Sequence, residues 1–118
     1  MRRGILLAAA LLLAAIALAC TTGGGREIAI TAEATACTPA TLEVRAGEKV
    51  TFVMLNKAGG DRELEGIEGT KLEEVLVPDG RTRKINYTAP KETGTQKLKC
   101  YIPGGPSTII EVRVSAAQ

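Results

Sequence analysis

The stretch Lys97–Val114, KLKCYIPGGPSTIIEVRV, decides how the chain is read. Leu98, Cys100 and Ile102 alternate with Lys97, Lys99 and Tyr101. Ile110, Val112 and Val114 then alternate with Glu111 and Arg113. Alternation with period two sends successive side chains to opposite faces of a pleated strand. Between the two runs stands Pro103-Gly104-Gly105-Pro106, a turn sequence that suits the interior of neither helix nor strand. The stretch therefore predicts two strands joined by a tight loop, each with one apolar face.

The same pattern extends upstream. Ile28 and Ile30 alternate within Arg26–Glu33, and Leu42 and Val44 within Thr41–Arg45. Ala46-Gly47-Glu48 is a turn. Lys49–Asn56 carries Val50, Phe52 and Met54 on one face, and its other face is also largely apolar, which predicts a central strand. Ala58-Gly59-Gly60-Asp61 is a loop, with weaker strands around Glu63–Ile67 and Leu72–Val77. Pro78-Asp79-Gly80 is a turn signal. Thr82–Thr88 alternates around Ile85 and Tyr87. No amphipathic helical period occurs. Seven or eight short strands over about ninety residues predict an all-β fold, an antiparallel Greek-key β-sandwich.

The beginning of the chain has another character. Arg2 and Arg3 precede Ile5–Ala19, an apolar run too short for a comfortable membrane span. It ends Ala17-Leu18-Ala19-Cys20, which resembles a bacterial lipobox. That resemblance implies a signal peptide over residues 1–19, lipidation of Cys20, a flexible tether over 20–25 and a folded domain over 26–116. The implied location is the cell envelope, membrane-anchored and facing the periplasm or exterior, with the lipid as the contact to membrane. The chain's formal charge of +2 belongs to Arg2 and Arg3, so the remainder is neutral. With no basic face bearing interleaved aromatics, a nucleic-acid partner is not expected. Export also leaves two cysteines, Cys37 and Cys100. In an oxidising compartment an even pair reads first as a disulfide. Thiolate ligation of a soft ion such as Cu(I), or two buried free thiols, are the alternatives.

Three segments in order resemble the cupredoxin superfamily: Cys37-Thr-Pro through Gly47-Glu-Lys-Val-Thr-Phe52, Leu55-Asn56 with its following loop, and Cys100-Tyr-Ile-Pro-Gly-Gly-Pro106. Blue copper members of that superfamily use two histidines and a thiolate. This chain has no histidine. Gly105 stands where the second imidazole is expected, and Ile110 near the axial methionine, so composition excludes a type 1 blue copper site. A narrower resemblance is to the EfeO-type cupredoxin-like domain of bacterial periplasmic iron-uptake proteins. It rests on Cys37-Thr-Pro39, Glu63-Leu-Glu65, Glu73-Glu74 ahead of Pro78-Asp-Gly80, and Cys100. It implies metal ligands at Cys37, Cys100, Glu63, Glu65 and Glu73, a copper or iron ion, and a metal-transport permease or other envelope protein as partner. Leu98 departs from the methionine frequent in that family two residues before the second cysteine.

The charges are unevenly distributed. Asp61–Glu74 holds six carboxylates against Arg62 and Lys71, whereas residues 75–118 hold seven basic and three acidic side chains. Glu63 and Glu65 share one strand face by period two. Without histidine there is no ordinary general base, and no nucleophile elbow or phosphate loop occurs. The expectation is a protein that is not an enzyme. The expected function is a copper- or iron-binding domain of envelope metal handling or uptake; the alternative is a metal-free, disulfide-stapled β-sandwich serving as a surface binding or structural module.

Overall fold

The computed structural model describes residues 25–118. The expected signal peptide and Cys20 lie outside the described residues. Nine strands follow: β1 Glu27–Ala32, β2 Cys37–Thr38, β3 Thr41–Arg45, β4 Lys49–Asn56, β5 Arg62–Ile67, β6 Val75–Val77, β7 Thr82–Thr88, β8 Gly94–Tyr101 and β9 Ser107–Ser115. They form a four-stranded sheet in the order β2-β1-β4-β7 and a five-stranded sheet in the order β3-β9-β8-β5-β6. The sandwich is the expected architecture. It has one strand more than expected, the two-residue β2, and two parallel pairings among the antiparallel ones, β1 with β4 and β3 with β9.

The period-two residues fill the space between the sheets. Ile30, Val50, Phe52, Met54 and Ile85 come from the first sheet; Leu64, Leu98, Ile110, Val112 and Val114 come from the second. As β4 is flanked on both sides, its outer residues Thr51, Val53 and Leu55 are half-buried, in keeping with the apolar outer face of this strand. Burial of this kind contributes about 25 cal/mol per Å² of apolar surface, and branched and aliphatic side chains supply most of it. The one aromatic pair, Phe52 and Tyr87, stacks with ring centroids 5.2 Å apart.

Turn chemistry sets the registers. Arg81 N–H donates to Pro78 O at 3.0 Å, closing the turn between β6 and β7. Gly80 takes φ +72° there, a conformation that side chains with a Cβ rarely adopt. Within β5, Gly66 has a different role. Its N–H donates to Leu72 O at 2.9 Å, and a Cβ at this position would collide with the Thr70 backbone.

Tyr87 is buried, yet its hydroxyl has no hydrogen-bond partner among the described residues. A buried unsatisfied hydroxyl costs about 1–3 kcal/mol. The substitution Tyr87→Phe should therefore leave stability unchanged or raise it by about 1 kcal/mol in urea unfolding. A loss of more than about 1 kcal/mol would show that the hydroxyl makes a stabilising bond after all.

Candidate functional site

Both predicted cysteines lie at one end of the sandwich. Cys100 shares the inner face of β8 with Leu98, and Cys37 on β2 stands opposite Ala32 of β1. The two form a disulfide, with Cα atoms 6.3 Å apart and a sequence separation of 63. The bond joins the edge of the four-stranded sheet to the centre of the five-stranded one. Nearby, Cys37 N–H donates to Thr108 Oγ1 at 3.4 Å. The Pro-Gly-Gly-Pro loop closes through Ile102 N–H to Pro106 O at 3.0 Å and Gly105 N–H to Ile102 O at 2.7 Å. Between this loop and residues 33–36 lies a cavity of about 240 Å³, with both cysteines and Arg62 in its wall.

Asn56 organises the neighbouring loop. It is fully buried at the end of β4, and its amide is satisfied on three sides. Nδ2 donates to Gly60 O at 2.8 Å and Val77 O at 2.9 Å, while Oδ1 accepts from Ala58 N–H at 2.9 Å. These bonds hold the loop 57–61 against β6 and so fix where β5 begins.

β5 begins at Arg62, which the sequence did not single out as a site residue. Arg62 shares the inward face with Leu64 and is only 7% exposed. Its guanidinium meets carbonyl oxygens alone: Nη1 donates to Asp61 O at 2.9 Å and Gly60 O at 3.3 Å, and Nη2 to Ala34 O at 3.4 Å. The adjacent Asp61 carboxylate is turned away and accepts from Asp79 N–H at 3.1 Å. The signal was present in the sequence, since Arg62 and Leu64 have the same parity. Placing the strand start at Glu63 concealed it.

Glu63 and Glu65 do share one face, but it is the outer face of the five-stranded sheet. In register, Leu64 stands opposite Cys100, Glu63 opposite Tyr101 and Glu65 opposite Lys99. The glutamates and the cysteine pair are therefore separated by the sheet. On the outer face, Lys99 Nζ lies 3.8 Å from Glu65 Oε1 and 4.2 Å from the centre of the Tyr101 ring. The Tyr101 hydroxyl donates to Glu74. Glu73 is exposed in the segment before β6. Among the described residues no group of three or more Cys, Asp or Glu side chains is placed to hold a metal ion.

Comparison with known proteins agrees with this architecture. The sequence profile of the cupredoxin-like domain family matches residues 4–110. No curated protein sequence matches significantly. Among solved structures, auracyanin A, a "blue" copper protein from Chloroflexus aurantiacus, is similar at 21% identity and TM-score 0.65, covering 77% of this chain and all of its own. The blue copper oxidase from Nitrosomonas europaea is similar at 15% identity and TM-score 0.65, over 80% of this chain. A multi-copper oxidase from Pseudomonas thermotolerans is similar at 11% identity and TM-score 0.59, over 81%. This chain spans 40% and 31% of those two oxidase chains, respectively. At these identities the likeness is one of fold.

The donor set does not fit the copper that this fold is known for. A trigonal blue site takes two imidazoles and a thiolate. Here there is no histidine in the chain, the two sulfurs are bonded to each other, and a guanidinium shares their cavity. The positive charge of Arg62 in the same cavity wall adds no ligand and opposes a cation placed near it.

The two tyrosines give this arrangement a pH signature. The hydrogen bond to Glu74, then burial and the nearby Glu63 and Glu65 charges, push the Tyr101 phenol well above the ordinary tyrosine value. Burial pushes Tyr87 up as well. An unfolded tyrosine titrates near pH 10. The folded chain thus keeps protons that the unfolded chain loses. Their contribution to stability is fully present below about pH 10 and declines as pH rises beyond it. At about pH 10 the native chain should show far less phenolate absorbance than the urea-unfolded chain. Equal absorbance would contradict the Tyr101–Glu74 bond.

Proposed function

This chain belongs to the cupredoxin-like domain family, and on that premise we propose that it is a lipid-anchored binding module of the cell envelope whose pole carries a disulfide in place of a copper site. The observation that carries the reading is the Cys37–Cys100 bond in a cavity wall shared with buried Arg62. A disulfide closing a loop of this length contributes about 4 kcal/mol in the chain-entropy model. The proposed role is non-enzymatic: the chain has no histidine, and both thiols at the pole are held in the disulfide.

The proposed anchorage agrees with the geometry of the fold. Gly25 and Arg26 lie beside Glu48 and Lys49 at the start of β4, with Arg26 Nε 2.8 Å from Glu48 Oε1. The cavity lies at the other end of that strand, roughly 25 Å away for eight residues. A tether leading from lipidated Cys20 to Gly25 would join the domain at the end of the sandwich opposite the cavity, leaving the cavity open to envelope partners. No helix among the described residues is long and apolar enough to cross a membrane.

The competing reading is a copper or iron site that draws on Cys37, Cys100, Glu63, Glu65 and Glu73 in envelope metal handling, with a transport permease as partner. Its support is that both sulfurs line one cavity. Metal loading decides between the two. The chain, purified anaerobically, incubated with Cu(I) or Fe(II) under mild reductant and then desalted, should retain well under one ion per molecule. Retention of one ion per molecule, abolished by Cys100→Ser, would overturn the stapled-module reading.

A further inference from the structure

Arg62 is a buried cation without a carboxylate partner among the described residues. Its three hydrogen bonds all go to backbone carbonyls, and only one of them is shorter than 3.0 Å. A guanidinium carries five N–H donors. Nε–H and one Nη2–H therefore have no partner among the described residues. A guanidinium with free donors can receive a carboxylate, often through two parallel hydrogen bonds. A buried charge is costly unless it is paired, and carbonyl dipoles offset that cost only in part.

The cavity beside Arg62 has room for a counter-charge. Its volume of about 240 Å³ equals several water molecules at about 30 Å³ each. Much of the remaining wall is apolar: Ile102, Pro106, Ala36 and the disulfide. One acidic residue, the exposed Glu33, also contributes to it. A small monoanion with a short apolar stem matches this combination. Its charged end would meet the guanidinium and its stem the apolar wall. A doubly charged anion is disfavoured by Glu33.

We propose that this cavity is a carboxylate-binding site in which Arg62 receives the carboxylate and the disulfide wall receives the apolar stem. The proposal rests on the metal-free, oxidised state of the pole. The carboxylate is either that of a free small acid or the C-terminus of a peptide chain.

The test is an NMR titration of the oxidised chain, after thiol titration and metal analysis have shown neither free thiol nor metal. The probes are butyrate, its neutral isostere butyramide, and N-acetyl-Ala-Ala with a free or an amidated C-terminus. The expected result is saturable shifts of the amides of residues 34–37 and 102–108 with butyrate or the free-acid peptide, and none with the two amides. Tighter binding of butyrate assigns the site to free acids, and tighter binding of the peptide assigns it to chain termini. Arg62→Gln should weaken binding by about tenfold or more. In case that variant fails to fold, Glu33→Gln on the rim should tighten binding roughly two- to fivefold. Absence of saturation with both acids, equal binding of acid and amide, or wild-type affinity in Arg62→Gln would overturn the proposal. Such a failure would leave the stapled reading intact, because the oxidised, metal-free state is measured separately.

Discussion

The bond between Cys37 and Cys100 is the constraint around which one end of the molecule is built. It ties a two-residue edge strand to the middle of the opposite sheet. Without it, β2 would rest on two backbone pairings with β1 and a single long hydrogen bond to Thr108. The closure contributes about 4 kcal/mol by loop entropy, a large share of the 5–15 kcal/mol typical of a whole domain. The same bond also consumes both thiols. It thereby converts a pole with metal-binding precedent in its fold into one whose sulfurs serve as an apolar wall.

A second element completes the pole from the other sheet. Asn56 ends β4 with every polar atom of its amide engaged, so the loop 57–61 has little freedom. That loop delivers Arg62 to the inner face of β5. The result is a fixed positive charge near a fixed pair of sulfurs. In low dielectric such a charge exerts a strong field. At the Arg62 side of the cavity it opposes cations and favours anions, while Glu33 on the rim carries the opposite charge. The fold is shared with copper proteins, but the residues at this pole are not a copper donor set.

Much of this was legible in the sequence. Period-two alternation located eight of the nine strands to within a few residues and identified the inner faces of six; for β5 and β6 it gave no inner face. The exception, β2, is two residues long and leaves no periodic trace. The parallel pairings of β1 with β4 and of β3 with β9 were not legible either, because alternation specifies a face and not the direction of a neighbour. The disulfide appeared as one of three alternatives; sequence spacing cannot choose among them, since the choice depends on how Cα atoms approach in space. Glu63 and Glu65 were read as sharing a face, and they do. Which face was settled by the register of Leu64 against Cys100, a long-range pairing. Arg62 was overlooked because a charged residue at a strand start is ordinarily solvated, and only its parity with Leu64 pointed inward.

What the pole can bind depends first on its chemical state in the protein as the cell makes it. Native mass spectrometry of the chain purified from its own cells, alkylated without prior reduction, reads that state directly. The predicted result is a metal-free mass with no alkylation at Cys37 or Cys100. A mass carrying one copper or iron ion, with both cysteines alkylated once the metal is removed, would contradict it.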